Sequence, residues 1–352
     1  MTAASTTSAR VNTTTTNSSN ERAPIGVLLA NLGTPRSPAT ADVRRYLREF
    51  LSDPKVVRAP RWIWFCVLNG IILPFRASRS AKLYRTIWME QGSPLLVHSR
   101  TIACELAGAL NGPQSPAQGD SQGGPYRVAL GMRYGEPSLE QALASLQAQG
   151  AQHIVLLPLF PQQSDTTTGT LEERLCRLLG QPRFAGLRLR GIRAWPDEPL
   201  YIRALADSIR ATPGFDEAEH FVLSYHGLPQ SYVRRGDPYL DHCNRTTRAL
   251  VAELGWSESQ YTQTFQSRFG PQRWLEPSTE DTICTLAKRH RRVLVATPGF
   301  PADCLETLEE IAVGLRERFH EEGGEDLHVT PCLNGSAGLA AALARLVREE
   351  KW

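Results

Sequence analysis

Leu223-Ser224-Tyr225-His226-Gly227-Leu228-Pro229 closes an apolar run, Phe221-Val222-Leu223, which reads as a buried parallel strand: the run is continuous rather than alternating, and Gly227 with Pro229 stops it at once. In open α/β sheets ligands bind at the carboxyl ends of strands, so an ionisable ring there is aimed at a binding region. One such histidine is as readily satisfied by a loop carbonyl, but a second strand end of the same kind follows. Val293 to Ala296 is another buried strand, and after Thr297-Pro298-Gly299-Phe300-Pro301 comes Asp303-Cys304-Leu305-Glu306-Thr307-Leu308-Glu309-Glu310. Glu306 therefore opens a helix behind a parallel strand.

Working outward, short apolar runs alternate with amphipathic stretches along the chain, the pattern of βαβ units. Strands are expected at Ile25–Leu32, Tyr126–Met132, Ile154–Phe160 and Leu187–Ala194, then at His220–Tyr225, Thr262–Gln266, Val293–Thr297 and His328–Cys332. Helices fill the gaps, among them Ala41–Phe50, Ser99–Leu110, Arg245–Leu254 and Cys304–Arg318. The pattern predicts an α/β fold of two similar doubly wound domains, each a four-stranded parallel sheet flanked by helices, with a cleft between them. A chain of 352 residues exceeds what one core usually supports. The expected divisions are a Ser/Thr-rich disordered tail at 1–23, an N-terminal domain at 24–197 and a C-terminal domain at 198–352, broken at Trp195-Pro196-Asp197-Glu198-Pro199. Gly112 to Gly124 reads as a mobile surface loop.

A net charge of +3 and the lack of a basic stripe with stacking aromatics argue against nucleic acid as partner. The seven cysteines are scattered, the nearest pair twenty positions apart, which fits reduced thiols in a cytoplasmic setting rather than a zinc or disulfide framework. One segment departs from the alternation. Arg58 to Arg85 carries six basic residues and no acid among Trp62, Trp64, Phe65, Leu68, Ile71, Ile72, Leu73 and Phe75. Its apolar runs fall far short of the ~20 residues of a spanning helix. It reads either as a lip lying in an anionic membrane interface, with Trp62, Trp64, Ile71 and Leu73 dipping in and Arg61, Arg76 and Arg79 on headgroups, or as a pair of core helices with arginine stems alongside.

Neither Asn31-Leu32-Gly33-Thr34-Pro35 nor Thr166-Thr167-Thr168-Gly169-Thr170 fits a dinucleotide or P-loop fingerprint. The chemistry gathers instead at strand ends: Arg133 and Tyr134, His226, Gln266 to Arg268, and Glu306 with Glu310, which at i and i+4 share a helix face. An imidazole and carboxylates converging across a cleft suit a divalent first-row metal. Without HExxH or CxxC spacing, the metal would visit rather than stay.

The segments LLANLGTP (Leu28–Pro35), FLSDPKVV (Phe50–Val57), KLYRTIWMEQGSPL (Lys82–Leu95), LGMRYGEPSLE (Leu130–Glu140), LSYHGLPQ (Leu223–Gln230), RRGDPY (Arg234–Tyr239), TFQSRFGPQRWL (Thr264–Leu275) and PGFPADCLETLEEI (Pro298–Ile311) together resemble the ferrochelatase family, and its bacterial branch most. Members insert ferrous iron into protoporphyrin IX in the last step of haem synthesis. The resemblance implies that His226 is the active-site histidine, that Glu306 faces it across the porphyrin pocket as a second metal donor, and that Glu310 is a further acid on the same helix. It also implies substrate contacts at Leu32, Arg133, Tyr134, Trp274 and Phe300, with Fe²⁺ as substrate and no permanently bound cofactor. Asp165 stands where some relatives carry a [2Fe-2S] ligand, and the cysteine-rich tail that completes that site is missing, so no cluster is expected. The implied partners are protoporphyrin IX, Fe²⁺, an anionic membrane surface and the preceding haem-pathway enzyme. The alternatives are a chelatase for coproporphyrin III or a sirohydrochlorin-type ring, and a two-lobed metal- or haem-binding transport protein.

Overall fold

In the computed structural model, residues 23–112 and 124–351 are described. The expected tail at 1–23 and the loop at Gly112–Gly124 fall, but for their edges, outside them. The strands are β1 (Ile25–Gly33), β2 (Tyr126–Tyr134), β3 (His153–Pro158), β4 (Arg188–Gly191), β5 (His220–His226), β6 (Tyr261–Gln266), β7 (Arg292–Ala296) and β8 (Asp326–Val329). All pairings between them are parallel, in two sheets of order β2-β1-β3-β4 and β6-β5-β7-β8. The second sheet repeats the strand order of the first, so β5 occupies in its sheet the place that β1 holds in the other. Each is doubly wound, with the crossover helices on both faces.

The helices are α1 (Thr40–Leu51), α2 (Arg61–Val67), α3 (Leu73–Ile87), α4 (Pro94–Asn111), α5 (Leu139–Ala148), α6 (Thr168–Leu179), α7 (Pro199–Arg210), α8 (Gln230–Val233), α9 (Tyr239–Leu254), α10 (Thr279–Ala287), α11 (Arg316–Glu321) and α12 (Ala337–Glu349). Two stretches, Leu68–Ile72 and Glu306–Leu315, are π-helical. Helix α4 begins five residues before the expected Ser99 because Pro94 serves as its first residue, where a missing N–H costs nothing. Helix α9 likewise starts ahead of Arg245, with the Asp237 carboxylate accepting the Tyr239 N–H at 3.0 Å. The helix expected from Cys304 to Arg318 is π-helical over Glu306–Leu315 and α-helical only from Arg316.

The largest apolar cluster runs through both halves, joining Val27, Leu29 and Val155 of the first sheet to Phe221, Leu223 and Tyr225 of the second. Helix α12, last in the chain, packs back on α4 and α7. Polar contacts add to this seam: Gln162 Nε2 donates to Thr246 Oγ1 at 2.8 Å, Ser164 Oγ to Asp237 Oδ2 at 2.9 Å, and the Gln163 N–H to His242 Nδ1 at 3.1 Å.

The segment 58–85 fits neither of its two readings alone. Leu68, Leu73, Ala77, Ala81 and Tyr84 are buried against Val43, Leu47 and Leu51 of α1. The opposite face presents Trp62 (75% exposed), Phe65 (67%), Ile71 (60%) and Phe75 (75%). Two residues expected to dip outward are corrected: Leu73 is core, at 1% exposure, and Trp64 turns in to donate its indole N–H to Leu51 O at 2.7 Å. Among the described residues no helix is long and apolar enough to cross a membrane.

Candidate active site

Strand β5 is buried through Tyr225 and surfaces at His226. The strand outruns its neighbour β7, whose last residue Ala296 pairs with Leu223, while β6 keeps pace and sets Gln266 beside His226. Gly227 then leaves room for the next layer, since a Cβ there would lie 2.5 Å from Gln266 O and 3.2 Å from the Trp274 ring. Trp274 therefore closes down on Gly227, the residue after His226, and its buried indole N–H has no acceptor in the protein. From the loop after β7, Phe300 meets His226 edge-on, with centroids 6.3 Å apart and planes at 73°. Of the residues singled out in the sequence, His226 and Phe300 thus meet, and Trp274 packs on the turn that follows His226.

The acids stand on the π-helix. Its first turn is tied down by Thr307, whose hydroxyl accepts the Cys304 N–H at 3.0 Å and donates to Asp303 at 2.9 Å. With i→i+5 bonds, a residue at i+4 stops short of a full turn rather than passing it, so Glu306 and Glu310 still share a side. Glu310 accepts both the N–H (2.7 Å) and the hydroxyl of Ser267, one on each oxygen. Burial raises its pKa above the usual carboxylate range, with the Ser267 bonds and the His226 ring opposing. Burial also raises Glu309, with help from the neighbouring charge of Glu310. Glu306 is half-buried, and its main-chain oxygen accepts from Gln266 Nε2 at 3.1 Å.

The first half supplies the facing wall. Helix α3 touches the π-helix, and Leu305 packs into the cluster beneath the lip. Arg76 of α3 lies over the Phe269 ring, 4.3 Å from its centroid. Burial and then Arg79 lower its pKa, while the nearby charge of Glu306 opposes them. Tyr46 and Tyr84 are pushed up by burial and feel Glu306 as well. Sequence reasoning missed both tyrosines in this role; Tyr84 lies inside one of the family-like segments, but no periodicity marks it.

Arg133 and Tyr134 were expected to touch substrate, and the structure gives their polar atoms other partners. The Arg133 guanidinium bonds Asp53 at 2.6 Å and the Thr170 carbonyl at 3.0 Å, and the Tyr134 hydroxyl donates to the same Asp53 oxygen at 2.9 Å. A carboxylate as buried as Asp53, at 7% exposure, needs such compensation. Tyr134 is only 1% exposed, so its ring underpins the wall instead of lining it. Phe50 packs edge-on over it at 5.2 Å, and Tyr46 stacks on Phe50 at 6.0 Å. Leu32 is half-buried at the end of β1. The next residue must be glycine: Gly33 has φ +120°, and a Cβ there would collide with Tyr134 O. Asp165 is paired with Arg58 at 2.7 Å. Among the described residues no three His, Cys, Asp or Glu side chains converge as a closed metal cage.

Twin sheets of this order, with an imidazole at a strand end of the second and carboxylates on the helix that follows the strand beside it, define a chelatase-type α/β protein. The cobalt complex of sirohydrochlorin chelatase SirB from Bacillus subtilis subspecies spizizenii shares the fold, with a TM-score of 0.53 at 10% identity over 93% of this chain and 94% of that one. The family model described as ferrochelatase matches residues 24–351. Ferrochelatases of Klebsiella pneumoniae and Enterobacter sp. are 48% and 47% identical, over 88% and 90% of this chain and 93% and 95% of theirs. That of Vibrio cholerae is 43% identical over 94% of this chain and 99% of its own. The chain belongs to the ferrochelatase family.

Proposed function

We propose that this chain inserts ferrous iron into protoporphyrin IX to give haem b, releasing the pyrrole protons. The observation that carries the reading is the exposed imidazole of His226, edge-on to Phe300 and within electrostatic reach of Glu310 on the π-helix that also carries Glu306. Metal insertion must strip water from Fe²⁺ and remove protons from pyrrole nitrogens, so it needs donors that exchange metal and a base that works near neutral pH. Neutral imidazole has one free lone pair, which takes a metal or a further proton but not both at once, so His226 can serve the two steps only in succession. Glu306 is the second metal donor, and Glu310 takes protons onward. Fe²⁺ is substrate here, and the enzyme keeps no resident cofactor and no [2Fe-2S] cluster.

Leu32, Trp274 and Phe300 flank the macrocycle, Arg133 and Tyr134 brace the wall behind it, and Arg76 offers a cation to a substrate carboxylate. The half at 24–197 supplies the lip and the half at 198–352 the reacting groups. The exposed row Trp62, Phe65, Ile71 and Phe75 supports peripheral docking on an anionic membrane surface facing the cytoplasm, where an apolar porphyrin and the enzyme that makes it would be met. The deciding experiment mixes purified protein with protoporphyrin IX and Zn²⁺ or, anaerobically, Fe²⁺, and follows porphyrin fluorescence. Turnover is expected, faster than with coproporphyrin III or sirohydrochlorin. Tight haem binding without turnover would point to the transport reading instead.

A further inference from the structure

Beneath the carboxylates runs a row of buried hydroxyls whose direction follows from counting protons. Gln266 Oε1 accepts the Ser224 hydroxyl at 2.8 Å; Ser224 Oγ lies 2.8 Å from Thr279 Oγ1, which lies 2.9 Å from Thr264 Oγ1. Each hydroxyl has one proton to give. That of Ser224 goes to Gln266, so Thr279 must donate to Ser224 and Thr264 to Thr279. Only this order satisfies every contact, and it turns the Gln266 NH₂ toward the Glu306 carbonyl, 3.1 Å away. Ser224, Thr264, Thr279 and Gln266 are 0–3% exposed, so no water competes for these bonds.

The next residue, Ser267, leaves the strand with φ +62°, a left-handed conformation uncommon for a side chain other than glycine, asparagine or aspartate. Such backbone persists where the surroundings over-determine it. Here it aims two donors of one residue, N–H and O–H, at the two oxygens of Glu310. The buried row anchors the strand end, and the turn at Ser267 converts that anchor into a fixed carboxylate.

We propose that Ser267, carried on the anchored end of β6, is a positioning residue for metal insertion that holds Glu310 and the first turns of the π-helix in register with His226. The inference rests on the roles given above to His226 and Glu310. Neither the sheet nor the core depends on the Ser267 hydroxyl, so its removal should change turnover and leave the fold alone.

The test uses full-length protein with Zn²⁺ and protoporphyrin IX. Ser267→Ala loses only the hydroxyl and keeps the strained Cβ; Ser267→Gly keeps the N–H, loses the hydroxyl together with the Cβ, and fits the φ of +62° without strain. Both should lower kcat about tenfold, as loss of one hydrogen bond to a charged group commonly does, with KM for porphyrin and melting temperature unchanged. In a Glu310→Gln background the same changes should cost less than about threefold, because linked groups are non-additive. Wild-type kcat in Ser267→Gly beside a disabled Glu310→Gln, equal losses in both backgrounds, or a loss that follows melting temperature would each overturn the inference while leaving the function standing. A fully active Glu310→Gln would remove the role of Glu310 and this inference with it.

Discussion

His226 projects exposed from a strand end, edge-on to Phe300, and nothing in either core leans on its ring. His226→Ala should therefore cut metal insertion by ~10²-fold or more, the usual scale for a lost general base, with melting temperature unchanged. Wild-type turnover in this variant would take His226 out of the reaction. Glu306→Gln keeps shape and removes charge, and should fall further in turnover than Glu310→Gln while porphyrin still binds. Stability provides an independent check on Glu310. Burial raises its folded pKa, so ionising it costs the folded state more than the unfolded one. That cost is absent well below the ordinary carboxylate range and appears as pH rises through the raised value. The melting temperature of Glu310→Gln relative to wild type should therefore improve from about pH 4 to about pH 7; a constant offset would show that burial does not dominate at this site.

At the scale of elements, the lip formed by α2, the π-turn Leu68–Ile72 and α3 has two faces with separable effects. Leu73 is buried in its cluster and Phe75 is 75% exposed. Leu73→Ala should destabilise by about 2–5 kcal/mol, as large-to-small core changes do, read as a lower denaturation midpoint. Phe75→Asp with Trp62→Asp should leave that midpoint in place and weaken co-sedimentation with anionic vesicles, each nearby arginine adding about 1 kcal/mol that salt removes. Vesicle binding indifferent to salt and to both substitutions would assign the exposed row to something other than a lipid surface. The π-helix shows why element type was harder to read than element position. Its buried residues Thr307, Ile311 and Leu315 recur every four positions, a spacing between the α and π periods, so the pattern announces a helix without choosing its pitch.

At the scale of the molecule, the halves are joined by a shared core and by polar contacts that depend on neutral histidine. His242 Nδ1 accepts the Gln163 N–H across the seam, which a protonated ring cannot do. Burial lowers the pKa of His98, His220 and His242, aided by Arg245 at His242 and by the stacked His290 at His220. Folded values below unfolded ones mean stability is full above the ordinary imidazole range, ~6.5, and is lost as pH falls through it toward the lower folded values. The melting temperature should drop between about pH 7.5 and pH 5, and His242→Ala should start lower and fall less steeply. A fall equally steep in that variant would place the acid sensitivity elsewhere.

Local pattern was enough for the existence and order of the eight strands, the repeat of one architecture and the strand-end placement of His226, because continuous apolar runs and the residues that stop them act over a few positions; the short edge strands were placed less well, β8 lying at Asp326–Val329 instead of His328–Cys332 and β4 spanning only Arg188–Gly191. Glu306 and Glu310 were legible on the same terms, as acids opening a helix behind a strand. Only the tertiary structure decided that Tyr134 and Arg133 close over Asp53, that Leu73 faces inward while Phe75 faces out, that α12 returns to the first half, and that Ser267 grips Glu310. Those outcomes depend on partners about 20 to 250 residues away along the chain, and on a backbone angle that no side-chain pattern encodes; long-range packing and the need to satisfy buried polar groups settle them.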